Sequence, residues 1–277
     1  MDMPELLKAL ILGLVEGATE FLPVSSTGHQ IIVADLLDFT GERAKTFEIF
    51  IQLGAILAVI WYYRAKIGHV LSTLGSESAS RRLIANLLVA FLPAAVLGLA
   101  FSKVIKAHLF NPVTVATALI VGGFIILLIE ARKRPATISS TDQISGRTAL
   151  MIGIAQCFAL IPGTSRSGAT IMGALLCGLS RPAAAEFSFF LSIPTMIAAT
   201  LYSLYKARDV LSSTDIPTFG VGFVAAFVSG FIVVKLFLAF VSKHSFNAFA
   251  WYRIALGSAV IAYFYFTGQP MFGVLTD

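Results

Sequence analysis

Charge is scarce in this sequence. Asp, Glu, Lys and Arg make up 13% of the 277 residues against 57% hydrophobic ones, and mean hydropathy is +0.86. A water-soluble domain carries about 25% charged residues. So few charges cannot cover a water-facing surface, which excludes a soluble globular enzyme and a disordered chain alike. Cysteine is scarce too. Cys157 and Cys177 stand in apolar stretches with no second Cys or His at ligand spacing, so they read as small buried hydrophobes. The stretch Met1–Gly17 lacks a basic leader region, and Glu16 interrupts it before any small-residue cleavage site, so it does not read as a signal peptide. The net charge of +5 lies on basic residues between hydrophobic runs, without interleaved aromatics; no nucleic-acid partner is expected.

What is present is long apolar helix. Six segments approach the roughly 20 residues that a bilayer crossing needs. They are Thr46–Tyr63, Ile84–Phe101, Pro112–Ile129, Phe187–Tyr205, Pro217–Val234 and Phe246–Thr267. The last contains Arg253, which demands a polar partner inside the membrane. Four further apolar pieces are too short: Pro4–Val15, Gln30–Phe39, Thr148–Ile161 and Ala169–Leu179. Each pair flanks a polar tip, Pro23–His29 in one case and Pro162–Gly168 in the other. Short helix, polar tip, short helix predicts a re-entrant hairpin, and irregular backbone at membrane depth is tolerated only where protein or a water-filled cavity satisfies it. The predicted fold is an all-α integral membrane protein with about six transmembrane helices and two re-entrant helical hairpins.

The two halves resemble each other. Gly13–Tyr62 aligns with Gly153–Tyr202, with Pro23 on Pro162, Ser26 on Ser165 and, after one extra residue at Arg166, Gly28 on Gly168. His108-Leu-Phe-Asn matches His244-Ser-Phe-Asn further on. One hairpin and three spans per half is an odd number of crossings, so the second half must enter from the opposite side. The expectation is a single membrane domain over 1–277 with inverted-topology repeats at about 1–134 and 147–270, joined by a loop at 131–147. One side of the membrane would hold Arg64, Lys66, Arg81, Arg82, Arg132, Lys133, Arg134, Arg147, Arg181, Lys235 and Lys243. The other would hold Lys8, Arg43, Lys45, Lys103, Lys106, Lys206 and Arg208. Eleven against seven makes the first side cytoplasmic and places both termini outside. Small residues at Gly98, Gly122-Gly123 and Gly222 allow close helix contact, within the chain or between chains.

Ionisable residues inside a membrane are functional candidates by default. Glu16 and Glu20, four apart, share a helix face. They read either as a pair that holds a hard divalent cation together with phosphate oxygens, or as a snorkelling pair at a helix end. Ser25, Ser26 and Thr27 supply hydroxyls at the start of a short helix, where free N–H groups cap the chain or receive an anion. His29 beside them is a structural residue, or an acid, base or nucleophile. In the second tip Gly163, Thr164, Ser165, Arg166, Ser167, Gly168 and Thr170 combine turn-forming glycines, hydroxyl donors and a guanidinium fork suited to phosphate. Arg166 could instead pair with Glu16 or Glu20. Glu48 and Glu186 are weaker candidates for holding the tips or Arg253. Tips meeting at the repeat interface would suit phosphoryl transfer, and the apolar spans around them would suit a lipid tail.

Along Glu16-Gly-Ala-Thr-Glu20-Phe-Leu-Pro-Val-Ser-Ser-Thr-Gly-His29 and Pro162-Gly-Thr-Ser-Arg-Ser-Gly-Ala-Thr170 the chain resembles the bacterial undecaprenyl-pyrophosphate phosphatase family, also called the bacitracin-resistance family. The resemblance covers nearly the whole chain. It implies hydrolysis of a polyprenyl diphosphate to the monophosphate, which recycles the lipid carrier for peptidoglycan and other envelope polymers. It implies a multi-pass protein of the bacterial plasma (inner) membrane, its site opening to the periplasmic or outer face. It also implies dependence on a divalent cation, Mg²⁺ first and Ca²⁺ second, and a homodimer. By the same resemblance Glu20, Ser26, His29 and Arg166 are catalytic. Glu16 and Glu20 are the metal pair. From the hydroxyls and turn-forming glycines of the two tips, Ser25, Thr27, Gly163, Ser165, Ser167, Gly168 and Thr170 are expected to bind substrate. Two mechanisms stay open: Ser26 attacks with His29 as base, or His29 attacks while Ser26 orients the phosphate. The competing function is a polyprenyl-phosphate transporter, which needs anion binding but neither nucleophile nor carboxylate pair.

Overall fold

The computed structural model describes residues 3–132, 135–207 and 212–267. Of the basic residues weighed above, Lys133, Arg134 and Arg208 lie outside the described residues. In chain order the helices are α1 (Glu5–Thr19), α2 (Ser26–Leu36), α3 (Glu42–Tyr62), α4 (Arg64–Ser72), α5 (Ser78–Leu109), α6 (Pro112–Ala131), α7 (Gly146–Gln156), α8 (Arg166–Leu176), α9 (Arg181–Ala207), α10 (Ile216–Val241) and α11 (Asn247–Thr267). Six of them, α3, α5, α6, α9, α10 and α11, are long and apolar enough to cross a membrane, and the chain is a multi-pass membrane protein. They match all six expected spans, with Tyr63 and Phe246 falling one residue outside α3 and α11. No strand occurs among the described residues beyond an isolated bridge between Ile138 and Leu179.

The four short helices are where the short apolar pieces were expected. At 15, 11, 11 and 11 residues, α1, α2, α7 and α8 reach about 16–22 Å at 1.5 Å per residue, less than a bilayer core. A 3₁₀ turn at Cys157–Leu160 prolongs α7 to the second tip. The charged α4 was not foreseen, because Arg64-Ala-Lys carries no apolar stripe long enough to announce it.

Side-chain bonds gather the helix ends at two faces. At one, Lys66 reaches Glu186 at 2.6 Å and Thr141 at 3.0 Å, while Arg181 pairs with Glu130, whose Oε1 also receives the Phe246 amide at 2.9 Å. At the other, Arg43 pairs with Glu5 at 2.9 Å and Asp215 at 2.5 Å, and Lys8 bonds the Asp38 carbonyl. The 21-residue α3, with Arg43 near its start and Lys66 four residues past its end, holds these faces about 30 Å apart. The grouping of these basic residues matches the two sides read from the sequence.

Packing of α1 against α10 relies on glycine. A Cβ on Gly13 would lie 2.3 Å from the Gly222 carbonyl oxygen, and one on Gly17 would lie 2.2 Å from the Ala226 carbonyl oxygen. Gly222 in turn meets the Phe47 ring of α3, and Gly123 meets the Ala250 carbonyl of α11. These small residues therefore serve contacts within the chain. Cys157 and Cys177 are unpaired as expected, but only half-buried.

The caps of α2 and α8 revise the register of the two tips. Ser25 and Ser165 are the N-caps, at φ 70° and 73°, a left-handed conformation unusual for a residue with a side chain. Each Oγ accepts from the amide three residues on, Gly28 at 3.3 Å and Gly168 at 3.1 Å. Ser165 thus matches Ser25, not Ser26 as the sequence alignment had it, and the extra residue falls before the cap. Ser26 and Arg166 then hold equivalent positions, the first residue of each short helix.

Gly17→Val forces its side chain into α10 backbone. We expect a loss of about 1–3 kcal/mol in stability, read as a lower melting temperature in detergent, with Gly68→Ala, which meets nothing within 4 Å, as the neutral comparison.

Candidate active site

Both tips lie deep in the helix bundle. Arg166 bonds the Ser188 carbonyl at 3.0 Å and touches Met196, positions about 10 and 22 Å along α9 from its start at Arg181. Backbone at such depth must have its carbonyls satisfied by protein or by a water-filled cavity. Arg253 of α11 is that protein partner. Its guanidinium is 1% exposed and donates to Pro23 of the first tip, to Gly163 and Thr164 of the second, and to Ala118 and Leu119 of α6. The distances run from 2.8 to 3.3 Å. The polar partner that Arg253 required is backbone, whereas Glu186, expected near it, is held by Lys66 and Thr141 at one face. Glu48 is half-buried on α3, one turn before the cavity-lining Gln52. Gly122 leaves room for the guanidinium, since a Cβ there would stand 2.2 Å from its Nη2.

Glu20 is the meeting point of the tips. The Ser26 hydroxyl donates to Glu20 Oε2 at 2.5 Å, and Arg166 Nη2 donates to Glu20 Oε1 at 3.0 Å. The ion pair is largely shielded, with both side chains at most 12% exposed. Arg166 Nε is buried without a hydrogen-bond partner, leaving a donor for an anion. The N-termini of α2 and α8 add free amides and the positive ends of two helix dipoles. A cavity of about 390 Å³ collects Glu20, Ser25, Ser26, Thr27, Gly163, Ser165 and Arg166 with Gln52, Ser102 and Phe110. Phe110 follows the last residue of α5, so the cavity extends toward the face that holds Arg43 and Lys8.

Other expected site residues stand behind this wall. Ser167 Oγ donates to the Leu22 carbonyl at 2.8 Å, tying tip to tip. Thr170 Oγ1 bonds Ser188 Oγ at 2.7 Å and the Arg166 carbonyl at 2.9 Å. Gly168 lies against Arg253, where a Cβ would meet Nη1 at 3.0 Å. Gly163, itself part of the cavity lining, has φ +89° and turns its other side to the Val115 carbonyl, 2.4 Å from where a Cβ would be.

His29 is turned away from the cavity lining. Nδ1 lies 2.7 Å from the Ser25 carbonyl, which can only accept, so Nδ1 carries a proton. Nε2 lies 2.6 Å from the Tyr252 hydroxyl, and the two rings stack at 5.6 Å and 4°. Tyr252 was missed in the sequence, although it immediately precedes the conspicuous Arg253. Gln30 was missed as well. It is buried, and its amide bonds Glu16 Oε2 at 3.1 Å and the Leu12 carbonyl at 3.0 Å.

The remaining oxygen, Glu16 Oε1, is buried without a hydrogen-bond partner. With Glu20 it offers a hard-oxygen donor pair of the kind a divalent cation takes alongside phosphate oxygens. No group of three or more Asp, Glu, His or Cys placed to hold a metal ion occurs among the described residues.

The site defines a class: a multi-pass helical membrane protein with a carboxylate, a hydroxyl and a guanidinium converging in an intramembrane cavity. The family model described as "Bacitracin resistance protein BacA" matches residues 9–259. The undecaprenyl-diphosphatase of Dechloromonas aromatica (strain RCB) is 60% identical over 262 residues, 95% of this chain and 96% of that one. Those of Ectopseudomonas mendocina (strain ymp) and Nitrosospira multiformis are 57% and 58% identical, each covering at least 94% of both chains. This chain belongs to the BacA family.

Arg253→Lys can satisfy at most three of the five carbonyls. Each orphaned carbonyl should cost about 1–3 kcal/mol, seen as a lower melting temperature in detergent. Tyr252→Phe should leave the fold intact and release His29 Nε2. The measurement is ¹⁵N NMR of histidine-labelled protein, with His29 assigned by its own substitution among four histidines; the Nε2 resonance should shift on losing the Tyr252 hydroxyl, while Nδ1, held by the Ser25 carbonyl, stays protonated.

Proposed function

We propose that this protein hydrolyses the terminal phosphate of undecaprenyl diphosphate, giving the monophosphate and inorganic phosphate. The observation that carries the reading is the convergence of Ser26 and Arg166 on Glu20 at the ends of two opposed short helices, beside a guanidinium N–H with no partner. The names of the relatives, undecaprenyl-diphosphatase in each case, supply the substrate. They lend nothing to the transporter alternative.

In this reading Ser26 Oγ attacks the distal phosphorus and its proton passes to Glu20 Oε2, the group it already bonds. The anhydride P–O bond breaks, and the lipid monophosphate leaves with the proton that Glu20 took up, which returns Glu20 to its carboxylate. Water then displaces Ser26 from phosphorus and its proton returns the serine to its hydroxyl form, releasing inorganic phosphate. Arg166 and the first amides of α2 and α8 hold the equatorial oxygens as charge builds on them. Glu20 replaces His29 as the base because the serine hydroxyl points at it, while both ring nitrogens of His29 have other partners. Glu16 and Glu20 would hold a divalent cation, Mg²⁺ or Ca²⁺, which when bound would neutralise diphosphate charge.

The same reading places the protein in the bacterial inner membrane as a homodimer, with the cavity and both termini outside. It treats 1–134 and 147–270 as inverted-topology repeats. The matching caps at Ser25 and Ser165 and the sorting of basic residues between two faces support this arrangement. Reactivity of single cysteines at residues 103 and 181 toward an impermeant thiol reagent in intact cells tests the orientation, with only position 103 expected to react.

Purified wild type in detergent should release phosphate from undecaprenyl diphosphate and lose this activity in EDTA. Ser26→Ala, Glu20→Gln and Arg166→Ala should each lower turnover by about 100-fold or more. An acid-labile phosphohistidine trapped at His29 would transfer the attack to that residue. Retained diphosphate binding with no release by folded wild type would revive the carrier reading.

A further inference from the structure

We propose that the isoprenoid chain of the substrate lies in the apolar groove between α5 and α7, reached from the polar cavity past Gly98. The proposal rests on the lipid-diphosphate reading above and names a site for the part of the substrate that does not react.

The groove has a volume of about 650 Å³, and its lining contains no charged or hydroxyl side chain. It faces outward, with Ile154 and Phe158 more than half exposed, so it opens sideways to the bilayer. Any lipid-facing surface is apolar. What singles out this groove is that both its walls continue the walls of the catalytic cavity. On α5 the cavity lining ends at Gly98, and the groove lining begins at Leu97 and proceeds through Pro93 to Val89. On the facing side Ile161 lines both, and the groove continues back along α7 through Ile154 to Leu150. From Leu97 to Val89 the track is about 12 Å long, enough for the first isoprene units.

The junction is built from an absent side chain. A Cβ on Gly98 would stand 3.4 Å from Leu160 Cδ2, so any larger side chain there would fill the neck between cavity and groove. The two compartments also point in opposite directions along α5. The cavity extends from Gly98 toward Phe110 and the face holding Arg43; the groove extends from Gly98 toward the start of α5 and the bilayer interior. An amphiphile whose diphosphate reaches Arg166 from that face must send its tail inward, and the groove continues the cavity in that direction. Transfer from lipid to groove gains little hydrophobic energy, so the groove contributes packing and orientation: it fixes which phosphorus faces Ser26.

The experiment uses the full-length protein in detergent and two readouts. A farnesyl diphosphate analogue with a diazirine at the far end of its chain is photolysed on the protein, and labelled residues are found by mass spectrometry. Labelling should fall within 89–97 and 150–161 and be competed away by unlabelled farnesyl diphosphate. Separately, Ile154→Trp fills the groove and Leu236→Trp makes the same change on α10, where Leu236 is 62% exposed. Ile154→Trp should lower kcat/KM for farnesyl diphosphate by about tenfold, equivalent to about 1.4 kcal/mol, while kcat/KM for isopentenyl diphosphate stays within about twofold. Leu236→Trp should match wild type on both. Labelling spread evenly over the lipid-facing helices, or not displaced by farnesyl diphosphate, overturns the proposal and leaves the groove to ordinary lipid or a second copy of the chain. Equal activity of Ile154→Trp and wild type on farnesyl diphosphate also overturns it. If wild type releases phosphate from neither compound nor from undecaprenyl diphosphate, the phosphatase reading fails instead, and the labelling still reads the groove directly.

Discussion

Backbone carbonyls at membrane depth set the terms for this molecule. Two tips of irregular chain lie well inside the bundle, and every oxygen they expose must find a proton. Arg253 meets that demand with one planar group whose N–H bonds fan out to both tips and to α6. An arginine suits the task because its five donors lie in a fixed plane and its charge is spread thinly enough to be tolerated among carbonyl dipoles. Once the tips are joined, the geometry around Glu20 follows: α2 and α8 start within reach of the same carboxylate, and Ser167 closes the join by bonding Leu22.

The site is therefore a pair of helix starts rather than a cluster on one scaffold. Ser26 and Arg166 stand at the same place after equally strained serines, and each supplies what the other lacks. A hydroxyl alone offers a weak attacking group; a guanidinium alone offers only attraction. In the proposed reaction, standing at the starts of two short helices, they bracket the diphosphate between two positive dipole ends. The strain at Ser25 and Ser165 belongs to this arrangement, since the left-handed turn lets the cap hydroxyl and the following side chain face different ways.

Much of the fold was legible in the sequence because hydropathy and length nearly determine membrane helices. All six spans and all four short helices fell where the apolar runs put them. Helix ends were less legible: α5 begins at Ser78, six residues before its apolar run, because Arg81 and Arg82 extend it in a region where propensity rather than hydropathy decides. In the site, Glu20, Ser26 and Arg166 could be picked out as polar groups in apolar company. Their mutual contacts could not, and neither could the roles of Tyr252, Gln30 and the carbonyl-binding Arg253, since all of these depend on which helices become neighbours. The one-residue error in aligning the tips had the same origin: Pro23 and Pro162 match as letters, but the caps match as conformations.

Arg253 follows Pro23 by 230 residues and Thr164 by 89. A ribosome making this chain therefore completes both tips long before the guanidinium that holds them exists. Until α11 is inserted and docked, those carbonyls must remain hydrated or borrow donors elsewhere, so neither hairpin can settle at its final depth. Assembly of the reaction site is thus the last event in the making of the protein, and a chain interrupted before α11 carries every group around Glu20 without the means to keep them together.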